Sequence, residues 1–191
     1  MKFPTRRRFW LILLVVFPVV AYLALVFILP ALGISRIYQI PTADMSPTLI
    51  PGDYVLASER AYKSDAPQRG DIVVVTWGGL SRFSEGQKHM KRVLAVAGDF
   101  LTIKDQIILR NGEAVKDPAG EPYGPMGSFS VSNPLATEGG SLTVPPDSIF
   151  VVGDNSKNSQ DSRMLGSVPL SNVAGKAVFR VWPLSRMGTV K

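Results

Sequence analysis

"QIILRNGEAV", residues 106–115, sets two strand-like runs on either side of Asn111 and Gly112. Asn-Gly accepts the positive φ angles that a two-residue hairpin turn demands, so the pair predicts a tight antiparallel hairpin. The same grammar continues in both directions. "DYVLAS" (53–58), "DIVVVTW" (71–77), "KRVLAVAG" (91–98), "FLTIKD" (100–105), "SLTV" (141–144), "SIFVVGD" (148–154) and "KAVFRVWPL" (176–184) are short runs rich in β-branched residues, punctuated by Gly, Pro and Asp. Many short strands at this spacing predict a mostly β domain. Residues 116–140 are dense in Pro, Gly, Ser and Glu, lack periodicity and read as a long surface excursion without chemistry.

Upstream of these runs the composition changes. Residues 9–34, "FWLILLVVFPVVAYLALVFILPALGI", carry no charge, and the stretch exceeds the roughly 20 residues an α-helix needs to cross a bilayer core. A transmembrane anchor is expected over 9–34, since Pro18 and Pro30 are tolerated in lipid and a cleaved signal peptide has an apolar region of only about 7–15 residues. Lys2, Arg6, Arg7 and Arg8 precede it, and basic residues beside a span hold that side in the cytoplasm. The expected organisation is therefore a cytoplasmic basic leader over 1–8, the anchor over 9–34 and an extracytoplasmic β domain over 35–191.

The 191 residues suffice for one domain with a real core. The net charge of +6 comes largely from the leader, so it points to anionic lipid and not to nucleic acid, for which a basic stripe interleaved with aromatics would be needed. The chain has no cysteine and a single histidine, His89, which excludes disulfides and thiolate metal sites and leaves no metal-ligand cluster. No cofactor is expected.

Four further stretches stand in order: "ADMSPTLIPGDYV" (43–55), "RGDIVVV" (69–75), "KRVLAVAGD" (91–99) and "GDNSKNSQDSRMLGSVP" (153–169). Together they closely resemble the bacterial type I signal peptidases, the leader peptidases that work through a serine–lysine dyad. The resemblance runs from the apolar segment to Pro169 and implies a signal-peptidase-like antiparallel β domain behind an N-terminal membrane helix. It implies exported preproteins with signal peptides as substrates, the bacterial cytoplasmic membrane as location and membrane lipid as a contact. A specialised maturation peptidase would share every motif.

In that family a serine directly before a Met-x-Pro-Thr-Leu run attacks the peptide carbonyl, and a lysine in the Lys-Arg-Val block takes its proton. Met45, Pro47, Thr48 and Leu49 fix the register of the substrate loop, Lys91 falls at the base position, and Asp44 falls where the nucleophilic serine belongs. Thr42 matches the hydroxyl residue that supports the oxyanion site, Ser159 the serine that orients the lysine, and Asp161 with Arg163 the structural ion pair. Alone, Asp-Ser-Arg or Gly-Asp-Asn would more often be turn chemistry.

The substitution at Asp44 changes the chemistry. A hydroxyl is a poor nucleophile until a base removes its proton, and lysine is that base only when neutral. Burial lowers a lysine pKa by up to about 3–5 units, but a carboxylate ~4 Å away attracts the ammonium by on the order of 4 kcal/mol, roughly three units back. Lys91 is then expected to stay charged and paired with Asp44. Direct attack by Asp44 would have to form an anhydride more reactive than the amide it cleaves. Ser46 is a substitute nucleophile constrained by Pro47, and Asp44 as a general base for water lacks the second carboxylate such sites use. His89, two residues before Lys91, reads as a bystander. Two functions remain: a signal peptidase with the nucleophile replaced, or a non-catalytic relative that binds signal peptides or a partner signal peptidase.

Overall fold

The computed structural model describes residues 5–28, 34–77, 86–125, 135 and 139–190. Its strands are β1 (Ser35–Gln39), β2 (Tyr54–Ser58), β3 (Ile72–Thr76), β4 (Lys88–Val96), β5 (Phe100–Lys104), β6 (Ile107–Arg110), β7 (Glu113–Ala114), β8 (Ser141–Thr143), β9 (Ser148–Val152), β10 (Val168–Pro169), β11 (Val173–Trp182) and β12 (Gly188–Thr189). The larger sheet runs β1-β2-β11-β3-β4-β9-β10, with β12 also on β11, and the smaller runs β7-β6-β5-β8. Every strand pair is antiparallel. The mostly β antiparallel architecture expected from the β-branched runs is what the chain adopts.

The central strand explains why those runs are not cleanly alternating. In β3, Ile72 and Val74 enter one apolar cluster with Ile40, Met45, Leu49 and Met90. Val73 and Val75 enter another with Val93, Ile149 and Val151 on the opposite face. A strand covered on both sides has no polar face to show, and successive side chains point to opposite faces. The smaller sheet closes a third cluster, in which Leu101, Ile103 and Ile108 pack on Phe150 and Val152.

The hairpin turn falls at Asn111 and Gly112, whose φ angles of 53° and 89° are the two positive values of a type I′ turn. The excursion over 116–140 is less superficial than its composition suggests. Tyr123 and Leu135 are buried in the third cluster, and Tyr123 exchanges backbone bonds with Val115 and Ile108. Residues 126–134 and 136–138 lie outside the described residues.

The expectation of a transmembrane helix over 9–34 is not supported by the described residues. Among the described residues no helix is long and apolar enough to cross a membrane. Helix α1 spans Thr5–Leu23 and gives way to a π-helical turn at Ala24–Ile28, and residues 29–33 of the expected anchor lie outside the described residues. The α-helix takes in Arg6, Arg7 and Arg8, so its uncharged part, residues 9–23, rises only about 22 Å against the roughly 30 Å of a hydrocarbon core. Pro18 inside it removes a backbone donor as well. Side chains along it, including Trp10, Leu14 and Phe17, are exposed. The Tyr22 hydroxyl reaches the Val181 carbonyl at 3.4 Å.

The loop between β1 and β2 is tied down from the far end of the chain. Arg186 donates to both carboxylate oxygens of Asp53 at 3.1 and 3.0 Å and to the Thr48 carbonyl at 3.3 Å. Arg180 also donates to Thr48, at 2.8 Å.

Candidate active site

The loop at residues 41–53 carries Asp44, and its apolar residues explain how. Met45 and Leu49 are fully buried beneath it, joined by one helical-type bond from the Leu49 amide to the Met45 carbonyl at 2.8 Å. With both anchors inside the core, Asp44 is left at the rim. A second loop, at residues 153–158, locks the first. The Asn155 amide donates to the Asp44 carbonyl at 3.0 Å, and Asn155 Nδ2 donates to the Ala43 carbonyl at 3.2 Å. A Cβ on Gly153 would collide with both the Ser159 hydroxyl and the Asp44 carbonyl, so glycine permits this approach.

That second loop is itself held by Asp161 and Arg163. Both are completely buried, and Arg163 grips Asp161 with Nε at 2.9 Å and a terminal nitrogen at 2.8 Å. Asp161 also accepts from the Gly153 amide at 2.9 Å and caps the short helix α2 (Ser162–Leu165) through the Arg163 amide at 3.1 Å. Arg163 also donates to the Ser156 carbonyl at 2.6 Å and lies 5.4 Å from the Tyr123 ring centroid. One turn away, Arg92 holds Asp154 through two bonds of 2.7 Å.

Lys91 reaches Asp44 from β4. Its side chain is 1% exposed, and its ammonium donates to Asp44 Oδ2. Thr42 Oγ1 donates to the other oxygen, Oδ1. Burial pushes the Asp44 carboxyl up, but the Lys91 charge and hydrogen bond, joined by the Thr42 hydroxyl, outweigh it and hold the group below the usual carboxylate value. Asp44 is therefore ionised at neutral pH.

Two clefts meet at Asp44. One, of about 80 Å³, runs along β1 and β4 and is lined by Tyr38, Ile40, Thr42, Asp44, Met45 and Met90 among others. The second, of about 350 Å³, is lined by Thr42, Asp44, Gln87, His89, Ser159 and their neighbours. Ser159 is buried here, and its hydroxyl has no hydrogen-bond partner among the described residues. Ser46 lines neither cleft, and Pro47 is exposed at the loop's outer side.

Asp44, Thr42, Met45 and Ser159 thus line one cleft system, with Lys91 behind Asp44 and with Asp161 and Arg163 supporting it, whereas Pro47 lies outside it. Sequence reasoning left His89 and Gln87 aside. Both line both clefts, and His89 packs edge-on to Trp77 with ring centroids 5.5 Å apart. Burial, reinforced by the Lys91 charge, holds His89 below the usual imidazole value, so it is neutral at pH 7. The i, i+2 relation of His89 to Lys91 on a strand was the signal available for it. Strand β1 was not legible, because "SRIYQ" has little alternation. No group able to hold a metal ion occurs among the described residues.

Known proteins resemble this chain in sequence. The chain is similar to a signal peptidase I of Mycobacterium tuberculosis, 31% identical over 235 residues, covering 100% of this chain and 77% of the relative. It is similar to a probable signal peptidase I-1 of Synechocystis, 34% identical over 152 residues, covering 78% of this chain and 72% of that one. A crystal structure of a signal peptidase I from Enterococcus faecalis aligns with 26% identity and a TM-score of 0.41, covering 59% of this chain and 97% of that chain. The family described as signal peptidase, peptidase S26, matches residues 9–182, and with the loop, lysine and ion pair in the order given above the chain belongs to that family.

Proposed function

We propose that this chain receives the signal-peptide segment of exported preproteins in the clefts beside Asp44 and that the Asp44–Lys91 pair keeps it from cleaving them by the serine–lysine route of its family. The observation that carries this reading is the Asp44 carboxylate sitting on the buried Lys91 ammonium. A general base must give up its proton before it can accept one, and an adjacent carboxylate stabilises the protonated form. The carboxylate also fills the place from which a hydroxyl would attack.

The peptide-binding half of the proposal rests on backbone. Among the described residues β1 ends the order of its sheet and β9 covers β4 only from Arg92 onward, so both strands offer edges unpaired by those residues to an extended segment. The exposed apolar side chains of α1 support association with a membrane, where exported preproteins emerge. A partner signal peptidase is the second candidate for the same edges.

The test is cleavage of a preprotein by the detergent-solubilised chain beside its Asp44→Ser variant. The variant restores a hydroxyl next to a buried lysine freed of its counter-ion, and it should cleave on the order of 10³-fold faster or more, since loss of a nucleophile of this type costs that much or more. Equal rates in the two proteins would show that the natural chain has another route.

A further inference from the structure

The small cleft has a charged rim that the peptidase chemistry does not use. Lys88 extends from β4 across the cleft to β1, where its ammonium donates to the Tyr38 hydroxyl at 3.2 Å and stands 5.5 Å from the Tyr38 ring centroid. Both residues line the cleft, whose floor is apolar: Ile40, Met45, Val74 and Met90. The charges deeper inside cancel, because Lys91 and Asp44 pair with each other. His89, the other titratable group on this part of β4, is held neutral by burial and by Lys91. On the facing strand Arg36 is occupied by Glu59 at 3.1 Å. Among the described residues no carboxylate pairs with Lys88, so among them the rim carries a net positive charge.

We propose that Lys88, held over the cleft by Tyr38, is a specificity-determining residue that favours peptides carrying an acidic side chain where they pass the outer end of this cleft, and disfavours basic ones. The inference rests on the peptide-binding reading above and deepens it. An apolar floor of about 80 Å³ takes a small side chain and leaves any longer neighbour at the rim, under the ammonium. Tyr38 orients the cation from below through its ring face and its hydroxyl, so an incoming carboxylate meets a charge already placed.

The experiment uses the detergent-solubilised full chain and fluorescent extended peptides of one neutral, small-residue sequence, with Glu, Gln or Lys placed at one position at a time. Binding is read by fluorescence anisotropy. At one position Glu should bind about threefold tighter than Gln, and Lys correspondingly weaker, as expected of an exposed charge contact. The preference should shrink at high salt. Lys88→Glu should reverse the order, and Tyr38→Phe, which keeps the ring and removes the hydroxyl, should weaken the preference without reversing it. Equal affinity for Glu and Lys peptides at every position, or an unchanged preference in Lys88→Glu, overturns the inference while leaving the peptide-binding reading standing. If no peptide of the set binds either protein, the peptide-binding reading falls and the inference falls with it.

Discussion

Two acid–base pairs lie close together in this protein and do opposite things. Asp161 and Arg163 are both 0% exposed, meet through two bonds in a planar fork, and use their remaining capacity on the Gly153 amide, the Arg163 amide and the Ser156 carbonyl. Asp44 and Lys91 meet through one ammonium donor, with Asp44 19% exposed at the edge of two clefts and Thr42 as its other side-chain partner. The first pair is saturated and faces protein on all sides. The second is buried at its cation and wet at its anion. Both look alike in the sequence as a carboxylate matched to a base. What separates the two is the number of partners each group has left over, and whether a cleft reaches it.

That contrast breaks most sharply under removal of the cation. Arg163→Met leaves the Asp161 carboxylate buried without its partner and should cost about 3–5 kcal/mol in urea unfolding. Lys91→Met exchanges a buried ammonium for an apolar side chain and leaves Asp44 next to water, so its cost should stay below about 1.5 kcal/mol. Equal losses would mean that the two pairs carry the same structural weight.

A smaller effect sharpens the link between the two regions. Gly153→Ala pushes a methyl into the Ser159 hydroxyl and the Asp44 carbonyl, and should cost about 1–3 kcal/mol by overpacking. Combining it with Ser159→Ala should recover only part of that loss, because the carbonyl stays in place. Full recovery would show that the backbone approach between the two loops is not tight.

The smallest effect is in pH. The folded-state pKa of Asp44 lies below its usual value, so the unfolded chain binds the proton first as pH falls. The stability that this group contributes is present above about pH 4, the ordinary carboxylate range, and is lost as pH drops through its folded value. Asp99, held at about 2 by Arg69, the Val96 amide and Asn111 against its own burial, adds a loss in the same window. The difference between the natural chain and Asp44→Asn, followed by urea unfolding from pH 6 to pH 2, isolates the Asp44 share. A flat difference across that range would show that the pair does not hold the carboxylate ionised.

Much of the fold was readable because β-branched runs and turn residues agree. β2, β3, β5, β6 and β9 lie within the runs that predicted them, and the Asn111-Gly112 turn is where its dipeptide put it. β10 and β12, two residues each, were not readable, because a ladder that short is set by its neighbour and not by its own residues. The membrane-spanning reading of residues 9–34 is not supported, for another reason. Hydropathy sums residues without regard to where the α-helix starts, and here it starts among the arginines and changes to a π turn before the stretch ends. At the site, the motif register located Asp44 and Lys91, since Met45 and Leu49 are spaced to bury as one turn. The depth of the Asp161–Arg163 pair was invisible, because residues two apart in a polar stretch look like a surface turn until the neighbouring elements close over them.

The arginines that tie down the loop after Asp44 stand more than 130 positions later in the chain, Arg180 and Arg186 reaching back to Thr48 and Asp53. A polypeptide made from its N-terminus therefore exposes the Asp44 segment long before the residues that fasten it exist. The loop is completed late, by contacts of long sequence separation, which are slow to close. During synthesis the larger sheet therefore stays in two parts, β1-β2 on one side and β3-β4-β9-β10 on the other, until β11 arrives to pair with both β2 and β3 and brings Arg180 to the loop.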